Sequence, residues 1–484
     1  MRSHPKKIPS FLKLTWLSPL FLRTWKSPTL LGWIAIGVRF ANVAFIWPLA
    51  LRAFSEVEVA IWGVFGVVAG LQVIIDNAFS DTFVRIIAYA RGSPGTPLTE
   101  TSSERLATLS GTMVRTYAAL TIIFLFILAV FGTWSVKHSI SLYSGNTEGL
   151  WIAWLATILG CITIVWANQY AAILVGVNQL ALLKRIELFC SIGMVLSTAL
   201  VFFFKGKLVG FVLTQQFWIL IQYGSYSWMG SLEKRKWKQP KHKFRFDSNV
   251  FLESWPVVWR SWLGVFCSFG AVQISSIIYA HYGSVSSVAS YLFAFRIIQL
   301  ISLTALVPFQ VKIPLLAAYY FEKKYSLVVA TCRSAMQKSF GSYVFGFLVV
   351  GFFGPFFLQI IKAHTDFVDL RLWGLMGLGF FLERYGGMHI QLYSVTNKII
   401  WHIANPITGL IFISLCWILF PKLGVFAFPT AQIISNLAFF NWYTAYHSYT
   451  RFKMKFWPFE FSTSLVPLVL ILAYIIATTF FNIA

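Results

Sequence analysis

The sequence predicts an all-α polytopic membrane protein. It reads as two six-helix lobes related by a pseudo-twofold repeat, about twelve core helices with an extra helix at the C-terminus. Three observations carry that expectation. Of 484 residues, 58% are hydrophobic and only 11% charged, where a soluble domain carries about 25% charged residues. The apolar residues fall in continuous runs near the roughly 20 residues that a helix needs to span a bilayer, without the alternation of a barrel strand. Lysine and arginine outnumber the acids 39 to 16, and the surplus is segregated to one side. With 20 Trp and 48 Phe the chain also cannot be disordered.

The apolar segments run at about 30–51, 57–80, 106–133, 150–177, 186–204, 208–230, 250–280, 287–310, 334–361, 370–396, 401–420, 425–446 and 462–482. With the N-terminus placed in the cytoplasm, the inner connections hold 26 Lys and Arg and the outer ones hold 6. That asymmetry is the positive-inside signature, so the basic excess reads as topology and not as a nucleic-acid surface. The expected organisation is a basic interfacial leader at 1–28, an N-lobe at 29–230, a basic cytoplasmic linker at 231–249, a C-lobe at 250–447, and a basic loop with a thirteenth helix at 448–484. The leader interleaves Phe11, Trp16, Phe21 and Trp25 with Lys13, Arg23 and Lys26, the pattern of a segment lying on the inner membrane surface. No cleavable signal peptide is legible in it. The halves echo each other weakly: Ser55–Trp62 lines up with Ser284–Tyr291 at an offset of 229 residues, and Val209–Thr214 with Val425–Thr430. Six plus six helices with an internal repeat is a common transporter plan, and an even count per half makes the repeat parallel.

Several chemistries are absent from the pattern. The five cysteines lie far apart with no CxxC spacing, there is no HExxH pair, and no GxxxxGK[ST] loop is present to hold a nucleotide phosphate. The expectation is therefore a protein without cofactor or metal, and not an enzyme. A membrane glycan polymerase or glycosyltransferase, the enzyme alternative, needs paired carboxylates in a sizeable outer loop, and the longest outer loop, 134–149, holds Glu148 alone.

The informative residues are the charges deep within the apolar segments. Arg39, Arg260, Arg296 and Arg384 stand well inside theirs, against two deep acids, Asp76 and Glu383. A charge at mid-bilayer costs about 2.5–3.5 kcal/mol on insertion scales, so each needs a partner or water. Asn42 lies one turn from Arg39 and Gln299 one turn from Arg296, which gives each cation a small polar face. Gln72, Asp76 and Ser80 form a polar stripe on the second helix. Glu383 and Arg384 are adjacent, so they point about 100° apart and need not pair with each other. The surplus of cations suits an anionic ligand, because a guanidinium meets phosphate with a two-pronged donor fork.

The stretch Phe54-Ser-Glu-Val-Glu-Val-Ala-Ile-Trp-Gly-Val-Phe-Gly66, with Ile75-Asp76-Asn-Ala-Phe-Ser80 and Val84-Arg-Ile-Ile-Ala88, resembles the opening of the lipid-linked oligosaccharide flippases. These are the O-antigen and exopolysaccharide transporters of the multidrug/oligosaccharidyl-lipid/polysaccharide exporter superfamily. Phe420-Pro-Lys-Leu-Gly-Val-Phe-Ala-Phe-Pro-Thr-Ala431 is similar to that family's entry to its twelfth helix. The resemblance covers about residues 30–447. It implies two lobes forming a V around a cationic cavity lined by helices one, two, seven and eight, on which Arg39, Asp76, Arg260 and Arg296 fall. It further implies alternating access that flips polyprenyl-pyrophosphate-linked oligosaccharide to the outer leaflet of the cytoplasmic membrane. The expected partners are that lipid, a coupling ion (proton or sodium), membrane lipids, and the glycan polymerase and assembly proteins of surface-polysaccharide synthesis. Two departures stand out. Where the family pattern has an acid midway in helix seven, this chain has Gln273-Ile-Ser-Ser276, and a thirteenth helix would place the C-terminus outside. A multidrug or toxin extruder of the same fold is the main alternative, although surplus arginine would repel cationic amphiphiles.

Overall fold

The structure, a computed structural model, describes residues 42–91, 99–237, 247–267, 271–396 and 400–480, with positions 31, 34, 37, 38 and 398. The leader 1–28 and Arg39 lie outside the described residues, as does the middle of the basic linker. Among the described residues the regular elements are all helices. A π-helical turn Asn42–Ile46 leads into α1 (Trp47–Ala53), followed by α2 (Glu56–Gly70), α3 (Gln72–Arg91), α4 (Glu100–Ile127), α5 (Thr133–Ser141), α6 (Glu148–Gly176), α7 (Leu180–Phe203) and α8 (Leu208–Lys234). The second half holds α9 (Ser248–Val265), α10 (Ala271–Tyr282), α11 (Val285–Ala305), α12 (Val307–Gln310), α13 (Ile313–Phe321), α14 (Tyr325–Ile360), α15 (Leu370–Ser394), α16 (Trp401–Leu423), α17 (Ala427–Ser435), α18 (Asn441–Phe452), α19 (Phe456–Thr463) and α20 (Leu465–Phe480).

Where they are described, the thirteen apolar segments are almost entirely helical, the first from Asn42 onward. Among the described residues, six helical runs are long and apolar enough to cross a membrane, and the pair α19–α20, bent by 55°, makes a seventh if it counts as one span. The longest, Trp401–Phe452, turns back on itself: Gly424 adopts φ +54°, a left-handed conformation that favours glycine, and α17 packs back along α16. Helices also outrun their apolar stretches. α14 begins at Tyr325, nine residues before the apolar stretch, and a π-helical turn Leu128–Gly132 carries α4 into α5. Backbone hydrogen bonding does not stop at the edge of the apolar run, so hydropathy underestimates helix length.

The weak internal repeat marks two helix starts. Ser55 caps α2 in a capping box: its hydroxyl accepts from the Glu58 N–H, and the Glu58 carboxylate accepts from the Ser55 N–H at 2.9 Å. Ser284 caps α11, its hydroxyl accepting from the Ser287 N–H at 3.4 Å. Trp62 and Tyr291, which share a register in the repeat, are both buried in the core. The equivalent helices α2 and α11 pack directly on each other and join the lobes. α10 also packs on α2 and α5, and α9 on α3.

In a bilayer helices associate by close packing, since lipid tails are as apolar as leucine. α2 accordingly presents Gly63, Gly66 and Gly70, spaced as one helix face, toward the second lobe. A Cβ on Gly63 would stand 2.5 Å from Leu292 Cδ1, and one on Gly70 would stand 2.9 Å from Gln273 Nε2. The seam between the lobes is built on missing side chains.

Candidate functional site

Arg296 sits in that seam. From α11 its Nη2 donates to the Trp62 carbonyl at 2.6 Å and to the Gly63 carbonyl at 3.1 Å on α2. A helix carbonyl is shadowed by the side chain four residues on, and for Trp62 that residue is Gly66. A Cβ there would lie 1.7 Å from Arg296 Nη2, so only glycine leaves the approach open. The guanidinium also lies 4.6 Å from the Trp62 ring centroid, a cation–π contact. Trp62 is itself held edge-on by Trp47 at 5.6 Å and Phe211 at 5.5 Å. Hydrogen bonds to a charged group contribute about 1.5–3 kcal/mol each. Two of them offset the roughly 2.5–3.5 kcal/mol of placing a cation at mid-bilayer. Arg296 is therefore held without a counter-ion: among the described residues no carboxylate lies within ion-pair distance of it.

The other expected site residues go to different places. Asn42 opens the π-helical turn and lines a cavity of about 310 Å³ inside the first lobe, with Glu187, Cys190, Gln215, Trp218 and Gln222. Asp76 lies on α3, and its side chain is outside the described residues. Arg260 is exposed on α9, its guanidinium beside the neighbouring Trp259 ring. Gln299 is half-buried one turn beyond Arg296. Glu383 faces the interior of the second lobe, where its carboxylate accepts from Gln432 Nε2 at 2.9 Å. A cavity of about 50 Å³ beside it is lined by Cys267, Asn405, Thr408, Ser435 and Asn436. That is room for a few water molecules or a small hydrated ion. Arg384 turns away and donates from Nη2 to Ser302 Oγ at 2.5 Å on α11. As adjacency suggested, Glu383 and Arg384 take separate partners. α11 is thus the hub, tied to α2 by Arg296 and to α15 by Arg384.

Acids at the segment boundaries are buried by protein as well. Glu187 and Glu460 are at 8% and 6% exposure. Glu187 pairs with Lys184 at 2.7 Å, one turn back on α7. Glu460, on α19, accepts from the hydroxyls of Tyr385 (2.9 Å), Tyr449 and Ser464, and lies 3.7 Å from His389 Nε2. His389 Nδ1 is 2.6 Å from Ser448 Oγ. Each of these acids lies close to a Lys or Arg cluster at a segment boundary, where sequence reading assigns charges to water. The glycine spacing on α2 was the one sequence signal that could have located the seam.

No family model matches the sequence, and no curated protein matches it. Its likeness to known proteins lies in the fold. A lipid II flippase, MurJ, in an inward closed conformation superposes with a TM-score of 0.59, covering 93% of this chain and 98% of its own at 14% identity. The fold is that of the MOP-superfamily transporters. A MOP-superfamily transporter from Pyrococcus furiosus, whose binding pocket is described as of reverse polarity, gives a TM-score of 0.57 over 89% of this chain and 98% of its own at 12% identity. An outward-facing multidrug resistance transporter of the MATE family gives 0.56 over 87% and 93% at 14% identity.

Proposed function

We propose that this protein flips a polyprenyl-pyrophosphate-linked oligosaccharide from the cytoplasmic to the outer leaflet, by alternating access between its two lobes. The observation that carries the reading is Arg296: a guanidinium in the interlobe seam, bound by backbone carbonyls and not neutralised by a described acid. A phosphate is a stronger acceptor for that fork than a peptide carbonyl. Its arrival would draw Arg296 off Trp62 and Gly63 and so loosen α2 from α11. Binding of the head group and separation of the lobes become one event. Arg39 and Arg260 are expected to meet the same head group from the first and seventh helices. That the fold is shared with a lipid II flippase supports a lipid substrate. Glu383, with its small polar cavity, is the candidate to bind the coupling proton or sodium ion.

A second reading, a multidrug extruder, draws on the cavity lined by Glu187 and Asn42, where a carboxylate faces space enough for a small organic cation. One experiment separates the two. Binding of a short polyprenyl-pyrophosphate oligosaccharide and of a cationic dye would be measured on the purified protein and on the Arg296→Ala, Arg39→Ala and Glu187→Gln variants. The flippase reading expects saturable lipid binding that weakens at least tenfold in either variant, about 1.4 kcal/mol. Dye binding that depends on Glu187, with lipid binding indifferent to both arginines, would put the extruder first.

A further inference from the structure

At the face bearing the α1–α2 and α10–α11 turns, the lobes touch through residues that the arginine seam does not use. His281, on the last turn of α10, meets two residues one turn apart on α5. Trp134 stacks on it at 4.7 Å between centroids and 27° between planes, and His138 stands 4.2 Å away. α5 belongs to the first lobe and α10 to the second, so the contact bridges them. Both histidines lie just past the apolar segments 106–133 and 250–280. His281 Nδ1 is buried and has no hydrogen-bond partner among the described residues.

As neutral rings, Trp134 stacks on His281 and His138 packs against it at a tilt of 44°. One proton on His281 keeps the stack, because an imidazolium is attracted to the Trp134 face. A second proton, on His138, places two like charges about 4 Å apart, and that repulsion exceeds an exposed cation–π attraction. Burial, and then the facing charge of His138, holds His281 below the ordinary imidazole value. The sign follows: a ring whose pKa is depressed in the closed contact binds its proton more readily once the contact opens, so falling pH favours separation. The other groups on the packed elements do not cancel this. α5 adds the exposed Lys137, and α10 adds Tyr279 and Tyr282. α16 ends in the exposed Lys422, and the first turn of α11 carries no acid. α2 brings Glu56 and Glu58, the latter engaged by Ser55.

We propose that His138 and His281 form a proton-operated catch between the lobes, holding this face shut at neutral pH and releasing it when both rings are protonated. The inference rests on the alternating-access reading, and it names the proton as an ion that drives one of its steps.

The test is a distance. Spin labels on Leu142→Cys, beside α5, and Lys422→Cys, at the end of α16, report the gap in the full chain in lipid nanodiscs. The half-buried Cys267 and Cys416 are replaced by alanine. Between about pH 8 and about pH 5 the distance distribution should lengthen, with a midpoint below about pH 6.5. His138→Gln and His281→Gln should each remove that pH response. A distance in the otherwise native chain that is unchanged between the two pH values overturns the proposal, as does a lengthening that persists in both glutamine variants. No lipid substrate enters the measurement, so its failure leaves the arginine-dependent binding reading untouched, and the reverse holds too.

Discussion

Gly63 and Leu292 are separated by 229 residues, the offset of the internal repeat, and they face each other across the seam, where a Cβ on Gly63 would stand 2.5 Å from Leu292 Cδ1. A residue in contact with its own repeat counterpart lies on the pseudo-twofold axis. The axis of the molecule therefore passes between α2 and α11, one turn from the Arg296 guanidinium. Substitutions there test the seam first.

Gly66→Ala is expected to displace Arg296 from the Trp62 carbonyl, because the new methyl would occupy the position of Nη2. Overpacking of this kind costs about 1–3 kcal/mol. In detergent melting experiments Gly66→Ala should lower the midpoint, and the same change on an Arg296→Ala background should cost markedly less. Equal losses on the two backgrounds would mean that the two residues do not interact.

Arg296→Lys keeps the charge and loses the planar fork that spans two carbonyls. Melting should fall by an amount equivalent to about one hydrogen bond to a charged group, roughly 1.5–3 kcal/mol. Binding of the anionic lipid should weaken less than in Arg296→Ala. The ratio of the two lipid affinities separates charge from geometry.

Glu383→Gln retains an acceptor for Gln432 but cannot carry a charge. The variant should fold and melt like the native chain, while transport in liposomes loses its dependence on an imposed proton or sodium gradient. Unaltered gradient dependence would remove Glu383 from the coupling step.

Glu460→Ala strips the acceptor from three hydroxyls at once, in a site where His389 is fully buried. Breaking a buried charged cluster costs about 3–5 kcal/mol. The expected result is early loosening of α19 and α20, seen as faster hydrogen exchange after Lys455 than in the rest of the second lobe. Glu460→Gln, which can still accept from the tyrosines, should fall in between.

Much of this architecture was legible in the sequence. Continuous apolar runs located the long helices, because every backbone polar group must be satisfied inside a bilayer, while the short α5, α13 and α19 fall almost wholly outside those runs. Arg296 was legible as a deep cation, yet its partners were not, since backbone carbonyls carry no sequence signature. Gly63, Gly66 and Gly70 held that information as an absence of side chains. Glu460 escaped notice because α19 is short and bent away from α20, so its apolar face does not read as part of a span. The histidine catch was equally invisible, joining residues that sit 143 positions apart.

Socket and plug at the seam are unlike although they occupy one register: glycine on α2, leucine on α11. Two identical chains meeting on such an axis would have to present the same residue to each other, either both too bulky or both too small. Carrying both halves on one polypeptide lifts that constraint and lets each copy diverge toward the shape of the other. The Gly63→Leu, Leu292→Gly exchange is thus the one substitution at this crossing that leaves total volume unchanged while inverting which half receives and which inserts.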